Sequence, residues 1–289
     1  MMLIFRILLY ALIVLVLFNV LLVYINTHLP RYPYDTPPFT FGWNYEEISI
    51  KTVDGLSLSG WFIPGSRGGP VVILAHGLGA GKSDLVDFAP FLYKGGYNVL
   101  LFDFRAHGKS DGSSTSFGYH EQKDLSAAID FLKARKDVDP QRIGVLGLSL
   151  GGAVAILAAA QLKEIRAVAV EGVYASFPET VTRHLYLAYR LPKFPFTHLA
   201  LWTFSLLFKV DIDRISPIES IGRISPRPLF IIAGGKDERM TPEEAWRLYQ
   251  AAGEPKELWV VPGAGHLEAR AVAGPEYERR VLYFFNKHL

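Results

Sequence analysis

The sequence predicts an α/β fold: a mostly parallel central sheet flanked by helices, with a helical insertion and an N-terminal transmembrane helix. Short, fully apolar segments alternate with amphipathic segments of helical length, which is typical of a parallel sheet covered on both faces. A serine follows one of these apolar segments in a glycine-rich turn. The 289 residues include no cysteine, which excludes thiolate catalysis, cysteine metal sites and disulfides, and the net charge of +2 gives no reason to expect a nucleic acid partner.

The first element is an uncharged apolar stretch, residues 7–27, preceded by Arg6. A helix of this length crosses the roughly 30 Å hydrocarbon layer of a bilayer. A signal peptide would have a shorter apolar region and a small-residue cleavage site, whereas this stretch ends in bulky side chains, so we predict an uncleaved anchor over residues 1–28. Arg6 and the amino terminus favour an extracytoplasmic main domain and Arg31 partly balances them, so the positive-inside rule leans toward the extracytoplasmic side without deciding it.

A spacer and a hairpin follow the anchor. Residues 29–45 are rich in proline and aromatic side chains, which is typical of a stiff linker. Residues 46–52 and 56–63 then alternate polar and apolar side chains about Asp54-Gly55, a strong hairpin signal. The main domain is therefore predicted to span residues 46–289.

The remaining elements repeat a strand-helix pattern. Apolar runs predict strands at residues 71–75, 98–102, 143–148, 167–170, 229–233 and 257–261. Helical periodicity and capping signals predict helices at residues 83–94, 121–136, 153–162, 241–251 and 275–288. Between residues 174 and 224 the alternation lapses into an aromatic and basic segment, which we interpret as an insertion folded over the sheet.

The glycine-rich turn has the features of a nucleophile elbow. In Gly147-Leu148-Ser149-Leu150-Gly151, small residues two positions before and after the serine allow a sharp turn between strand and helix. Such a turn lifts the serine hydroxyl out of the sheet, beside the start of the next helix. The pattern predicts a nucleophilic serine at position 149.

A nucleophilic serine needs a base, and the base needs an acid that fixes its tautomer. In strand-turn-helix nucleophile folds the acid and then the histidine follow the serine along the chain. His266 lies immediately beyond a predicted strand, whereas the other downstream histidines lie in the insertion or at the chain end: His184, His198 and His288. The acid should follow the preceding strand, which selects Asp237, with Glu238 as its nearest rival.

The negative charge formed by serine attack requires preorganised backbone donors. The N–H of Leu150, directly after the serine, and that of Leu78, after His76-Gly77, are the predicted oxyanion hole. We interpret His76 as a residue that orients this loop by hydrogen bonding. The loop is not a phosphate-binding loop, because histidine stands at position 76 where that pattern requires its first glycine. The histidines are scattered along the sequence and do not have the spacing of metal ligands. The sequence therefore implies no cofactor and no metal.

Assembled, these segments resemble a serine hydrolase of the α/β-hydrolase superfamily over about residues 46–289. The motifs that carry the resemblance are His76-Gly77, Asp103-x-Arg105-x-His107-Gly108-x-Ser110, Gly147-x-Ser149-x-Gly151-Gly152, Asp237 and His266. The resemblance implies an α/β-hydrolase fold with Ser149 as nucleophile, His266 as general base and then acid, and Asp237 as its orienting partner. It also implies a cap between the sixth and seventh strands, where residues 174–224 lie.

Differences from the sequence patterns of particular subgroups narrow the choice of subgroup within the superfamily. Leu148 replaces the histidine that many monoacylglycerol-lipase-like members have before the serine. The chain is most similar to single-pass, membrane-anchored members that are described broadly as esterases, lipases or thioesterases.

The apolar side chains of the insertion bear on the class of substrate. These side chains, among them Phe196, Trp202 and Phe204, would line an acyl pocket, touch a bilayer surface, or only pack the insertion onto the core. We therefore expect a membrane-anchored serine hydrolase that cleaves small-molecule or lipid-derived carboxylic esters through an acyl-enzyme. A peptidase, thioesterase or acyltransferase would use the same triad, and a non-catalytic binding protein on this scaffold is the other alternative.

Overall fold

The computed structural model describes residues 2–31 and 36–289, so residues 32–35 of the predicted linker lie outside the described residues. Within the described part, the main domain is built on one sheet of eight strands in the order β1-β2-β4-β3-β5-β6-β7-β8. The strands are β1 (Glu46–Lys51), β2 (Ser57–Ile63), β3 (Gly69–Ala75), β4 (Asn98–Phe102), β5 (Val138–Leu148), β6 (Ile165–Glu171), β7 (Leu229–Gly234) and β8 (Lys256–Val261).

The sheet is antiparallel at one edge and parallel elsewhere. The predicted hairpin forms β1 and β2, and Gly55 in its turn has a φ of +89°, which suits glycine. Strand β2 also pairs antiparallel with β4, whereas the pairs from β4 through β3, β5, β6 and β7 to β8 are parallel. This is the predicted fold class, an α/β-hydrolase fold with a mostly parallel sheet.

Helices cover both faces of the sheet. The α-helices of the described residues are α1 (Met2–Thr27), α2 (Ala89–Lys94), α3 (Glu121–Lys133), α4 (Leu150–Ala159), α5 (Phe177–Tyr189), α6 (His198–Phe208), α7 (Pro242–Ala251), α8 (Ala269–Ala273) and α9 (Pro275–His288). Alternate side chains of β3 face opposite layers: Val71 and Ile73 pack in the core with α3, α4 and α7, and Val72 and Leu74 pack with α2, α8 and α9. Burial on both faces explains why the parallel strands are continuously apolar.

Several element boundaries differ from the sequence predictions. The helix predicted at residues 83–94 is a 3-10 helix (Lys82–Phe88) followed by α2, and the N–H of Gly81 at its start bonds to Asp84 Oδ2 at 2.7 Å. Strand β5 begins before Pro140, because Val138 already pairs with Gly69 across a register shift. Helix α8 has no counterpart among the predicted elements, since its five residues are too few to show a helical period.

Helix α1 includes all of the predicted apolar stretch and begins five residues earlier. Its most apolar window has a mean hydropathy of 2.8, and its length and composition are those of a membrane span or of a signal sequence. One face is nevertheless buried: Asn19, Leu22, Val23 and Thr27 pack against the main domain. These residues recur every three to four positions, which places them on one side of the helix.

Residues 174–224, which we call the insertion, connect β6 to β7. The insertion contains α5 and α6 and a series of short 3-10 turns. Its buried side chains, including Phe177, Leu185 and Phe204, join the core on the α3 and α4 side. Helix α6 also packs against α1, so the insertion lies between the sheet and the N-terminal helix.

Candidate active site

Ser149 occupies the turn between β5 and α4. Its φ of 50° and ψ of −113° lie in a region that side-chain-bearing residues rarely adopt. The turn is fixed by the Ser149 N–H, which donates to the Glu171 carbonyl of β6 at 2.9 Å, and by α4, which begins at the next residue. Strained backbone of this kind persists only where the surroundings over-determine it, and it is frequent at functional sites.

Neighbouring glycines are required by close backbone contacts. A Cβ on Gly151 would lie 2.1 Å from the Ala75 carbonyl oxygen, and a Cβ on Gly147 would lie 2.5 Å from the Gly151 carbonyl oxygen. Both distances are far shorter than a van der Waals contact. The glycine spacing of the motif therefore follows from the packing of the turn against β3 and from the tightness of the turn itself.

His266 lies between Ser149 and Asp237. Its Nε2 is 3.2 Å from Ser149 Oγ, and its Nδ1 is 2.7 Å from Asp237 Oδ2. We assign the proton to Nδ1 because a carboxylate can only accept, which leaves Nε2 free to accept from the serine hydroxyl. The three side chains thus form one hydrogen-bonded series, although they come from the ends of β5, β7 and β8.

Asp237 is held in place by backbone donors. Its Oδ1 accepts from the N–H groups of Arg239 and Met240 at 2.8 and 2.9 Å, while the side chain is almost wholly buried. Glu238, the rival acid, is exposed to solvent. The structure therefore brings Asp237, and not Glu238, to the imidazole.

The two predicted oxyanion donors, Leu150 and Leu78, follow the neighbouring strands β5 and β3. Leu150 is the first residue of α4, where backbone N–H groups have no partner within the helix. Leu78 follows β3 in the loop after Gly77, and within residues 2–31 and 36–289 its N–H has no hydrogen-bond acceptor. Both residues line the same cavity as Ser149.

The His76 ring fixes the conformation of this loop by two hydrogen bonds. Its Nδ1 lies 2.7 Å from the Gly77 carbonyl, and its Nε2 accepts from the Phe104 N–H at 2.9 Å. Burial lowers the pKa of His76 to about 4, so the ring is neutral at physiological pH and can hold both bonds at once. This arrangement is the loop-orienting one that the sequence predicted.

A cavity of about 610 Å³ opens over Ser149 and His266. Of the three predicted substrate-binding residues, Phe204 lines it, whereas Phe196 and Trp202 do not. Trp202 is 64% exposed, and Phe196 packs its ring edge-on against Phe18 of α1. Trp202 and Phe196 are therefore corrected as lining residues of this cavity, which α6 reaches through Ala200, Leu201 and Phe204.

Sequence reasoning missed two contributors to this site. Glu171, at the end of β6, accepts from the Ala269 N–H at 3.1 Å and the Tyr277 hydroxyl at 2.8 Å, which ties the segment after His266 to the sheet. Burial raises the pKa of Glu171. The signal in the sequence that would have identified Glu171 is its position, as a carboxylate directly after a predicted apolar strand. The second contributor is α1, whose Leu22 and Val23 line the cavity.

Comparison with known proteins identifies the family. Residues 72–274 match the alpha/beta hydrolase family, and the chain belongs to it. Among solved structures, the esterase Pf2001 of Pyrococcus furiosus is similar with a TM-score of 0.75 and 32% identity, over 90% of this chain and 98% of that one. An uncharacterized Mycobacterium tuberculosis protein is 33% identical over 79% of this chain and 74% of its own length. A polyketide transferase of Stachybotrys chlorohalonatus is 26% identical over 84% of this chain and 97% of its own length.

Proposed function

We propose that the protein is a serine hydrolase that cleaves carboxylic esters through Ser149, His266 and Asp237. The observation that carries the proposal is the hydrogen-bonded series of these three side chains at 3.2 and 2.7 Å. The likeness to the Pyrococcus furiosus esterase, which exceeds 30% identity over nearly the whole of that chain, supports the reaction class.

In the proposed reaction His266 Nε2 takes the proton of the Ser149 hydroxyl while Oγ attacks the ester carbonyl carbon. The carbonyl π electrons move to oxygen, and the resulting oxyanion accepts from the N–H groups of Leu78 and Leu150. Asp237 stabilises the imidazolium without taking its proton. When the tetrahedral intermediate collapses, the ester C–O bond breaks and His266 protonates the departing alcohol, which leaves an acyl group on Ser149.

Water completes the cycle. His266 accepts a proton from the water, the hydroxide adds to the acyl carbonyl, and the same oxyanion donors hold the second intermediate. The bond to Ser149 Oγ then breaks, and Oγ recovers its proton from His266 as the free acid leaves.

A p-nitrophenyl ester series from acetate to palmitate, run with and without a fluorophosphonate probe, tests this function. We expect the probe to label Ser149 and to abolish turnover, and Ser149→Ala to show neither labelling nor activity. Ser149→Ala that retains wild-type turnover would contradict the proposal. Labelling without turnover of any ester would redirect it to a thioesterase or peptidase, which forms the same covalent intermediate.

Acyl transfer is the second candidate, and the polyketide transferase relative favours it. Transfer and hydrolysis share the acyl-enzyme and differ in whether water or another nucleophile resolves it. Adding a primary alcohol to the ester assay separates them. A transferase gives mainly the new ester at modest alcohol concentrations, whereas a hydrolase continues to release mainly the free acid.

We also propose that α1 anchors the protein in a membrane as a single pass, as an uncleaved element of the mature chain. Its uncharged stretch from residue 7 to residue 27 and its mean hydropathy of 2.8 support this role. Resistance to carbonate extraction from membranes tests the anchor. Protease accessibility in intact cells decides between the extracytoplasmic side, which Arg6 favours, and the cytoplasmic side.

A further inference from the structure

Helix α1 is joined to the insertion by polar contacts that an anchor alone does not need. Asn19 donates from Nδ2 to Thr203 Oγ1 at 2.5 Å and to the Leu199 carbonyl at 3.1 Å, both in α6. Asn26 accepts from His184 Nε2 at 2.8 Å and donates to the Tyr189 hydroxyl at 3.1 Å, both in α5. Two asparagines in an apolar helix are costly in lipid unless they are paired, so these bonds fix which face of α1 meets the insertion.

The end of the helix is also tied to the main domain. The Thr115 N–H donates to the Thr27 carbonyl at 2.8 Å, and Arg31 donates from Nη1 to the Ser110 carbonyl at 2.6 Å. Thr115 is held in turn by the buried Glu121 carboxylate at 2.9 Å. The last turns of α1 are therefore positioned by both the insertion and the loop between β4 and α3.

The face that these contacts select lines the cavity over Ser149. Leu22 and Val23 contribute apolar side chains to the wall, as does the insertion residue Phe204, and Ser149 and His266 line the same cavity. The lining is mainly apolar, and the volume of about 610 Å³ is within the usual range for small-molecule sites. Without α1, this wall would be open to its surroundings.

We propose that the last two turns of α1 are the wall of an acyl-chain site, and that the substrate is a long-chain acyl ester drawn from the bilayer that holds α1. This inference rests on the proposed hydrolase function and specifies its substrate class. Leu22 and Val23 are then specificity-determining residues: they contact the acyl chain, while the ester carbonyl lies at Ser149.

The outer surface next to the cavity fits a lipid partner. On α6, which packs against α1, Trp202, Leu206 and Leu207 are exposed, and Phe194 is exposed just before that helix. The rest of the α1 surface is exposed and apolar as well. Apolar surface of this extent, with a tryptophan among it, is typical of protein that lies against a membrane interface. An acyl chain could therefore enter the cavity without crossing bulk water.

The test compares two positions on the same helix. Leu22 is buried against the cavity, whereas Leu21 is 56% exposed on the outer surface. In the full-length protein in detergent micelles, the rate of Ser149 labelling is measured with ethyl and hexadecyl fluorophosphonates. We expect Leu22→Trp to slow the hexadecyl probe by more than about tenfold, the loss expected when about two methylenes no longer fit. The ratio of hexadecyl to ethyl labelling therefore falls in Leu22→Trp, whereas Leu21→Trp leaves this ratio unchanged.

Val23→Ala is the second variant, because Leu22→Trp could overpack and unfold the domain. It enlarges the cavity, so in the ester series the preferred acyl chain becomes longer than in wild type. If Leu22→Trp leaves the ratio of hexadecyl to ethyl labelling unchanged and Val23→Ala leaves the preferred chain length unchanged, the inference is overturned while the hydrolase proposal stands. Absence of labelling of wild type by either probe overturns the hydrolase proposal itself. Amino-terminal sequencing that shows removal of residues 1–28 in the mature protein would also overturn the inference.

Discussion

Lys82 Nζ lies 2.7 Å from Asp103 Oδ2, and both side chains are almost completely buried. Asp103 Oδ1 also accepts from the Lys82 N–H at 2.7 Å. One carboxylate therefore binds both the ammonium group and the backbone of Lys82, where the loop that contains Leu78 ends and the 3-10 helix begins. The ammonium group lies 4.7 Å from the Trp61 ring centroid. This pair connects the predicted oxyanion loop to the end of β4.

Breaking this pair on one side should destabilise the protein strongly. Lys82→Met leaves the Asp103 charge buried without its ammonium partner, a change that costs about 3–5 kcal/mol of unfolding free energy. The double variant Lys82→Met/Asp103→Asn removes both charges and keeps one oxygen for the Lys82 N–H, so it should recover part of the loss. Thermal unfolding of the three proteins in detergent measures the effect. As a control, Lys133→Met, which breaks an exposed pair with Glu164, should leave the midpoint nearly unchanged. Equal loss in the single and double variants would show that uncompensated charge is not the cause.

Asp237→Asn should lower kcat sharply with little change in KM. An amide in place of the carboxylate allows the wrong imidazole tautomer, which in a triad reduces kcat by about 10⁴-fold. Glu238→Gln is the matched control, since this neighbouring side chain is exposed, and it should retain wild-type kcat. The measurement is steady-state turnover of a p-nitrophenyl ester by each variant. A large loss in Glu238→Gln with activity retained in Asp237→Asn would reverse the assignment of the acid.

Gly151→Ala should prevent the turn at Ser149 from forming. Its Cβ would meet the Ala75 carbonyl oxygen at 2.1 Å, a backbone clash that no side-chain movement can relieve. Gly77→Ala is the control in the same region, because its Cβ would meet Ser149 Cβ at 3.5 Å, an ordinary contact. We expect the first variant to express as aggregate or to melt well below wild type, and the second to fold normally. The measurement is the soluble, monodisperse fraction in detergent. Normal folding of Gly151→Ala would mean that the turn relaxes away from β3.

Much of this protein follows from patterns that are local in the chain. The α/β alternation, the hairpin about Asp54-Gly55 and closing helix α9 were predicted because apolar period and turn chemistry act over a few residues. Ser149, Asp237 and His266 were selected by their positions after predicted parallel strands, since such strands carry the loops that follow them to one edge of the sheet. The structure brings these three side chains into contact, and their roles remain our proposal.

The sequence alone determined the fold class, the apolar N-terminal helix and which side chains stand at the carboxyl edge of the sheet. Only the tertiary structure decided which face of α6 meets the cavity, because that helix is apolar on nearly every side and its periodicity selects none. It likewise decided that Leu22 and Val23 of α1 share a cavity with Ser149. Such contacts join residues more than a hundred positions apart, and they depend on how whole elements pack, which no local pattern encodes.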